Sequence, residues 1–236
     1  MGFNFTQTKK LKYPLKSHRK PIIIPKQSGD LAEFMGIVFG DGGINNDWQL
    51  IITLNSLADK EYSLYVEDLI KRLFKVRVYK RKRANENTLA LICSSTTLVD
   101  FMVDKGAVRG NKIKQNINIP NWILKNRTRR KRFVRGVVDT DGGLFIHRHL
   151  CYNKPYCNIG LCFTSYSLRL IESVKEILDE LGIKSYITDR KRRIYIYSAD
   201  SIKQYLELVG SMNPRINGKY RDWLNKHSDW KGARAV

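Results

Sequence analysis

The chain has 236 residues with 43 lysines and arginines against 22 acids, a formal net charge of +21. That length fits one large domain or two small ones. Such a charge indicates a polyanionic partner, nucleic acid first and an acidic membrane surface second. No apolar run approaches the roughly 20 residues that cross a bilayer, and residues 22–24 are too short for a signal-peptide core. We therefore expect an intracellular protein that is not secreted.

The first 28 residues hold seven lysines or arginines, no acid and three prolines. Because proline interrupts helices, we predict an extended basic arm, with a disordered tail as the alternative. A helix should follow, capped by Asp30, starting at Leu31 and ending near Asp41 with Gly42-Gly43 as its stop. Hydrophobic periodicity then predicts a strand, a helix, two strands and a helix, at residues 49–55, 59–74, 76–81, 88–93 and 96–105.

The same order of elements returns after Asp141. We predict two strands around a longer connection, a helix, two more strands and a closing helix, at residues 144–149, 158–164, 168–181, 186–188, 194–197 and 201–209. Repetition of element order indicates internal duplication. The predicted domains are a first repeat at 29–118, a linker at 119–130 and a second repeat at 131–236. The four cysteines lack framework spacing, which indicates reduced thiols.

Two segments one hundred positions apart carry nearly the same motif. Residues 34–43 and 134–143 are each apolar and helical in period, and each ends in an acid followed by Gly-Gly. Small residues lie one and five positions before each acid, so each helix has a face that lets a partner helix approach closely. Packed together, such helices would bring Asp41 and Asp141 close. Two carboxylates at the negative ends of helices need a cation, and Mg²⁺ is the obvious one.

These two segments resemble the LAGLIDADG motifs of homing endonucleases in the single-chain, two-repeat form. The resemblance covers about residues 30–220. It implies an α+β fold of two pseudo-symmetric α-β-β-α-β-β-α repeats, with both motif helices at the domain interface and antiparallel sheets forming a DNA-binding saddle. The second motif also keeps an earlier acid, Asp139, where the first has Phe39, so that position cannot be essential to the chemistry.

The resemblance implies a site-specific endonuclease that hydrolyses both strands of a long, non-palindromic DNA target as a monomer, leaving staggered 3′ overhangs. Asp41 and Asp141 would bind the metals, helped by the carbonyls of Gly40 and Thr140. Mg²⁺ is the implied cofactor, with Mn²⁺ substituting and Ca²⁺ supporting binding without cleavage. Further active-site residues implied by the family pattern are Ser56, Lys60, Lys112, Ser165 and Arg169. Whether Asn213-Pro214-Arg215 or Lys219 matches Lys112 in the second repeat stays open.

DNA contacts should come from alternating strand residues and from basic hairpin tips. The predicted contact residues are Gln49, Ile51, Thr53, Arg77, Tyr79, Arg81, Arg83, His147, His149, Tyr186, Thr188, Arg190, Arg192, Tyr195 and Tyr197. The alternative for such residues is a solvated basic surface.

Other readings of the chain are also open. His147, His149, Cys151 and Cys157 could form a zinc cluster, although their spacing lacks the usual pattern. The same scaffold could serve as an intron RNA maturase, with intron RNA as partner, or as a transcription regulator.

Overall fold

The computed structural model describes residues 20–83, 86–152, 154–188 and 190–227. In the first half, helix α1 (Gly29–Phe39) leads into the hairpin β1 (Gly42–Asn46) and β2 (Gln49–Asn55). Helix α2 (Lys60–Phe74), strands β3 (Tyr79–Lys82) and β4 (Thr88–Ser94), and helix α3 (Thr96–Asp104) follow. The four strands form one antiparallel sheet in the order β1-β2-β4-β3.

The second half repeats this arrangement after a short helix, α4 (Asn121–Leu124). Its elements are α5 (Arg127–Asp141), β5 (Gly142–Cys151), β6 (Lys154–Thr164), α6 (Leu168–Glu180), β7 (Tyr186–Ile187), β8 (Arg193–Ile196) and α7 (Ala199–Leu208). The sheet order is β5-β6-β8-β7, again antiparallel. The predicted fold class, two α-β-β-α-β-β-α repeats, is confirmed. A further helix, α8 (Pro214–His227), packs on β5 and was not predicted.

Several predicted boundaries were wrong. Ser28 rather than Asp30 caps α1, its hydroxyl accepting from the Leu31 amide at 3.2 Å. Helix α1 ends at Phe39, whereas α5 continues through Asp141. The C-cap residue is Gly40 in α1 and Gly142 in α5, and both Gly-Gly pairs begin strands, β1 and β5. Glycine is needed there because a Cβ at Gly42 would lie 2.5 Å from the Val38 Cα.

Other errors concern the strands. Residues 76–78 are not strand, since the pairing of β3 with β4 begins only at Tyr79, opposite Ile92. The hairpin β5–β6 is longer than predicted, and its pairing runs from Gly142↔Phe163 to Cys151↔Lys154 instead of ending in a longer connection. Helices α4 and α5 occupy much of residues 119–130, which were predicted as a connection. The predicted basic arm lies outside the described residues up to position 19.

Helices α1 and α5 pack against each other at the centre of the molecule. A Cβ on Gly36 would lie 2.4 Å from the Phe133 carbonyl oxygen, and a Cβ on Gly136 would lie 2.3 Å from the Glu33 carbonyl oxygen. Only glycine permits backbones this close. The prediction that the two motif helices meet through small residues is therefore confirmed.

A buried ion network ties the two helices together away from the acids. Glu33 on α1 has no solvent exposure and accepts from Tyr65 at 2.6 Å and from Arg135 on α5. Burial raises the pKa of Glu33, while the guanidinium of Arg135 opposes that shift. Asp30 adds ion pairs with Arg72 and Arg132. These contacts fix the rotation of one repeat against the other, because a buried carboxylate left without them would be strongly destabilising.

Gly36→Ala is expected to destabilise the fold by about 2 kcal/mol, since the added methyl group forces the helices apart. Alanine is intrinsically the better helix former by about 1 kcal/mol, so the sign of the effect isolates the helix contact. The matched control is Gly218→Ala in α8, where a Cβ would meet nothing within 4 Å. Urea unfolding should show the first variant less stable and the second at least as stable as the parent. Equal midpoints for the two variants would contradict this account.

Candidate active site

The two motif acids lie together at the C-terminal ends of α1 and α5. Gly40 is so close to α5 that a Cβ there would lie 3.3 Å from Asp141 Oδ2 and 2.0 Å from Thr140 Oγ1. Asp41 is half-buried and Asp141 is reachable by solvent. A pocket of 160 Å³ beside Asp41 is also lined by Thr53, Arg81 and Arg83. The helix ends therefore present two carboxylates at the edge of an open sheet face.

The surroundings of both carboxylates favour their protonated forms. Loss of hydration, then the charges of Asp141 and Asp59, raise the pKa of Asp41 to about 7. Loss of hydration also raises the pKa of Asp141 to about 6, with Lys112 acting in the opposite direction. Two neighbouring carboxylates whose ionised forms are disfavoured make a site that a cation would stabilise.

These raised pKa values predict that the acids lower stability at neutral pH. An unfolded aspartate titrates near 3.8, so at intermediate pH the folded chain holds more protons than the unfolded chain. The stability contributed by these protons is fully present below about pH 4 and is lost as the pH rises through about 6 to 7. Asp41→Asn should therefore melt at a higher temperature than the parent at about pH 8, with the difference closing towards pH 4.

Thermal unfolding of both proteins in chelator across this pH range measures that difference. A melting temperature for Asp41→Asn that stays below the parent at alkaline pH would contradict the prediction. Added Ca²⁺ should raise the melting temperature of the parent more than that of the variant, because it would bind the parent more tightly. The difference in melting temperature at alkaline pH should therefore become smaller.

Lys112 lies at the end of the first motif helix, and its catalytic assignment stays a prediction. Its Nζ donates to the carbonyls of Val38 at 3.1 Å, Phe39 at 2.9 Å and Gly40 at 2.5 Å. Burial lowers the pKa of Lys112, and the charges of Asp141 and Asp41 oppose that shift. The ammonium group thus neutralises both the negative helix end and the acid pair.

The second repeat uses different groups at the corresponding position. Arg215 donates to the Gly142 carbonyl at 3.4 Å and lies 3.4 Å from Asp59, and its charge lowers the pKa of Asp41. Lys219 donates to the Leu144 carbonyl at 3.2 Å, further along β5. Of the two candidates, Arg215 is therefore the cation that acts on Asp41.

Asp59 and the side chain of Asn213 also belong to the site, although Asn213 was considered above only as part of the segment Asn213-Pro214-Arg215. The Asn213 amide has no solvent exposure and donates to the Asp139 carbonyl at 2.9 Å and to Asp59 Oδ1 at 3.0 Å. It therefore joins the end of α5 to the start of α2 in the other repeat. The sequence signal was weak, because an Asn-Pro pair after a helix ordinarily marks only a turn.

Asp139 is held away from the acid pair. Its carboxylate is buried and accepts from Ser211 Oγ at 2.5 Å and from the Met212 amide at 2.8 Å. Burial raises the pKa of Asp139 to about 7 despite these two hydrogen bonds. Asp139 thus anchors the loop that carries Asn213, in keeping with the prediction that this motif position is not essential to the chemistry.

The four remaining catalytic candidates lie at the strand-to-helix turns of the two repeats. The backbone amide of Ser56 donates to the Asn87 carbonyl, and the hydroxyl of Ser165 accepts from the Ser167 amide at 3.2 Å. Lys60 is the first residue of α2 and Arg169 the second residue of α6, and both side chains are exposed. These contacts are local, and the catalytic assignment of the four residues stays a prediction, as do the carbonyls of Gly40 and Thr140 as metal ligands.

The predicted DNA contacts lie mainly on the open sheet faces. Gln49, Ile51 and Thr53 alternate with the buried Leu50, Ile52 and Leu54 on β2, as predicted. Arg77 precedes β3, with its guanidinium over the Tyr79 ring, and Arg83 follows β3 and pairs with Glu86 at 3.4 Å. In the second repeat, Thr188, Arg190, Arg192 and Arg193 surround an open pocket with Thr164, Ser165 and Tyr166. His147, His149, Tyr186, Tyr195 and Tyr197 lie on the second sheet or directly beside it.

The zinc alternative receives no support. Within the described residues, no three histidine, cysteine or acidic side chains are arranged to hold a metal ion, although the Cys151 side chain lies outside that description. Cys93, Cys157 and Cys162 carry free thiols. None of the helices in the described ranges has the length and apolar character needed to cross a bilayer.

Two paired helices that end in acids, each leading into a four-stranded antiparallel sheet, form two similar repeats within one chain. A family model described as a LAGLIDADG-like domain matches residues 129–210, which cover most of the second repeat. No curated protein sequence matches the chain.

Solved structures share the fold at low sequence identity. Mesophilic variants of the homing endonuclease I-DmoI are 17% identical over 78% of this chain and 96% of theirs, with a TM-score of 0.50. The LAGLIDADG homing endonuclease I-LtrWI, bound to target DNA, is 12% identical over 87% and 92%, with a TM-score of 0.58. Full-length DUF199/WhiA from Thermatoga maritima is 15% identical over 91% and 64%, with a TM-score of 0.56. The suspected resemblance is thereby confirmed.

Proposed function

We propose that the protein is a metal-dependent, site-specific endonuclease that cuts both strands of duplex DNA inside the cell. The observation that carries this proposal is the pair of carboxylates, Asp41 and Asp141, at the ends of two pseudo-symmetric helices. Each repeat contributes one acid, so each acid would serve the cut in one of the two strands. Because the two repeats differ in sequence, one chain can read a long, non-palindromic target as a monomer.

The donor atoms at the helix ends fit a hard divalent cation. Asp41 and Asp141 supply carboxylate oxygens, and the carbonyls of Gly40 and Thr140 are the further candidates. Mg²⁺ typically binds one or two carboxylates together with water and substrate phosphate, so no larger protein cage is required. A cation held by Asp41 and Asp141 would supply Lewis-acid chemistry at the scissile phosphate and its attacking water. An I-DmoI structure holds DNA and Ca²⁺, which supports the expectation that Ca²⁺ permits binding here.

The chain's own residues would prepare this site in three ways. Lys112 holds the end of α1 and offsets the charge of both acids. Arg215, which belongs to the second repeat, offsets the negative charge of Asp41. Exposed cations at the hairpin tips, including Arg81 and Arg192, would hold phosphates and so position the duplex over the acids. The offset between the two acids across the minor groove would leave staggered 3′ overhangs.

The test is cleavage of a randomised duplex library with Mg²⁺ and with chelator, followed by sequencing of the cut ends. One recovered sequence with metal-dependent, staggered ends is expected. Mn²⁺ should substitute for Mg²⁺, and Ca²⁺ should permit binding alone. A folded protein that binds duplex DNA but never cuts it would contradict the proposal. Intron RNA binding that survives loss of both acids would instead support a maturase, which no contact in the described residues favours.

A further inference from the structure

The first hairpin of the second repeat is much longer than its counterpart in the first repeat. Strands β5 and β6 have ten and eleven residues, whereas β1 and β2 have five and seven. Every residue of β2 pairs with β4. Among the residues that the structure describes, by contrast, β6 pairs with β8 only over Leu161–Thr164. Residues 145–151 and 154–160 therefore extend beyond the four-stranded sheet as a two-stranded ribbon, which we call the arm.

The arm is supported by helix α8. A hairpin of two strands alone is only marginally stable in water. Trp223 on α8 donates its indole N–H to the Cys157 carbonyl of the arm at 3.2 Å, and Tyr220 stacks on Trp223 with ring centroids 6.4 Å apart. Both rings pack against the hydrophobic core, and Lys219 donates to the Leu144 carbonyl at the base of the arm. Between α3 and α4, a stretch that the structure describes throughout, the first repeat forms turns and irregular segments in place of such a helix.

The open face of the arm carries hydrogen-bonding groups. Leu144 is buried in the core, so strand alternation places His147 and His149 on the opposite, open face. Asn158 lies directly across from His147 in the strand pairing and therefore on the same face, and both of these side chains are exposed. The two imidazole rings stack with centroids 5.1 Å apart. Residues 145–160 contain no aspartate or glutamate, but they do contain an arginine and a lysine.

The major groove of a DNA duplex fits this arm in size and chemistry. The groove is about 12 Å wide and admits a two-stranded ribbon, whose strands lie about 5 Å apart. Amide and imidazole groups are donors and acceptors that suit base edges, and a ribbon without acids is not repelled by phosphates. Strand β5 starts directly after Asp141 and carries the arm away from the acid pair. At about 3.3 Å per residue the arm is about 20 Å long, which covers up to about six base pairs.

We propose that the arm lies in the major groove and adds about four to six base pairs to one end of the DNA target. Trp223 is a positioning residue in this arrangement, because it holds the arm at Cys157. The inference rests on the proposed duplex DNA target, and it does not require cleavage. Pairing of the outer edge of β6 with a second copy of the chain is opposed by the lysine and proline that begin this strand.

The experiment maps both ends of the target. Duplexes bound in Ca²⁺ are first recovered from a randomised pool, and each base pair of the best sequence is then replaced in turn. Hydroxyl-radical footprinting of the same duplex shows which stretch of DNA the protein covers. Replacements under the arm should each weaken binding about tenfold.

A shortened variant shows which end of the target the arm contacts. Replacing residues 148–157 by Asn-Gly would close the hairpin between His147 and Asn158 with a two-residue turn. Asn46 and Gln49 pair across a connection of the same length in the first repeat. The footprint should retract by about four base pairs at one end and stay fixed at the other, because about 13 Å of the arm is removed.

Point substitutions test the arm without removing it. Trp223→Phe keeps a ring against the core but loses the N–H that reaches Cys157, so base preferences should relax at the arm's end of the target alone. The matched control is Trp122→Phe, which removes the indole N–H that donates to the Lys105 carbonyl at 2.9 Å in the first repeat. This control should leave the base preferences at both ends unchanged. His147→Ala should relax the preference at one base pair under the arm.

A shortened variant with an unchanged footprint, or one that loses contacts equally at both ends, would overturn the inference. If the shortened variant does not fold, unchanged base preferences in both Trp223→Phe and His147→Ala would overturn it as well. A parent that sediments as a dimer, and a shortened variant that sediments as a monomer with the same footprint, would instead assign the arm to a second copy of the chain.

Cleavage of the same duplex in Mg²⁺ is scored separately. If the footprint depends on the arm at one end but no cut is made, the endonuclease proposal fails and the assignment of the arm stands. If the parent cuts the duplex and the footprint does not depend on the arm, the assignment of the arm fails alone. A parent that binds no duplex DNA would overturn both.

Discussion

Asp41→Asn is expected to abolish cutting of one DNA strand, and Asp141→Asn cutting of the other, while both variants still bind the target. Each acid ends a different motif helix, so each should serve a different strand. The loss should exceed about a hundredfold on the affected strand, since even a group outside the direct ligand set commonly costs ten- to hundredfold. Strand-specific end labels on a duplex target would show a persistent nick on opposite strands.

Asp139→Asn is the matched control for this pair of variants. Asp139 lies on the same helix two residues from Asp141, is buried and also has a raised pKa, but its carboxylate is held by Ser211 and Met212. It should keep cutting both strands. Unimpaired double-strand cutting by Asp41→Asn and Asp141→Asn alike would reject the assignment of one acid to each strand.

The regular parts of the fold were predictable because hydrophobic period is a local signal. Strand β2 was placed at its observed bounds, and α2 and α6 within one residue at each end. The failures occur where tertiary packing decides. Residues 76–78 look like strand because Val76 and Val78 alternate with Arg77, but the pairing with β4 begins only at Tyr79. The half-polar α8 is stabilised by its position on β5, with Trp223 donating to the Cys157 carbonyl at 3.2 Å.

The acids of the site were predictable because the motif occurs twice, and Lys112 was identified by its resemblance to the family pattern. The groups around them were not equally visible. Asn213 acts through contacts 154 and 74 residues away in the chain, to Asp59 and Asp139. Hydrophobic periodicity is a local signal and cannot relate residues that are so far apart in the chain. The choice between Arg215 and Lys219 likewise depends on which of them reaches Gly142 rather than Leu144, and only the folded chain decides that.

Duplex binding is expected to weaken about a thousandfold between about 50 and 200 mM salt, if about six phosphates are neutralised. The basis is the net charge of +21 together with the exposed cations Arg81, Lys82, Arg190 and Arg192 at the two sheets. Each neutralised phosphate contributes about 0.9 to the slope of log affinity against log salt. A slope near zero would exclude phosphate contacts as the main source of affinity.

Removing a single cation should show whether the sheets provide these contacts. Arg192→Gln should reduce the salt slope by about one, because one phosphate contact is lost. Lys203→Gln removes the same charge from α7, which packs on the helix side of the second sheet, where Lys203 lies 4.0 Å from Glu207. The slope of log affinity against log salt for Lys203→Gln should equal that of the parent. If both variants lowered the slope equally, the attraction would come from net charge rather than from the hairpin tips, and the duplex would not need to lie across the sheets over Asp41 and Asp141.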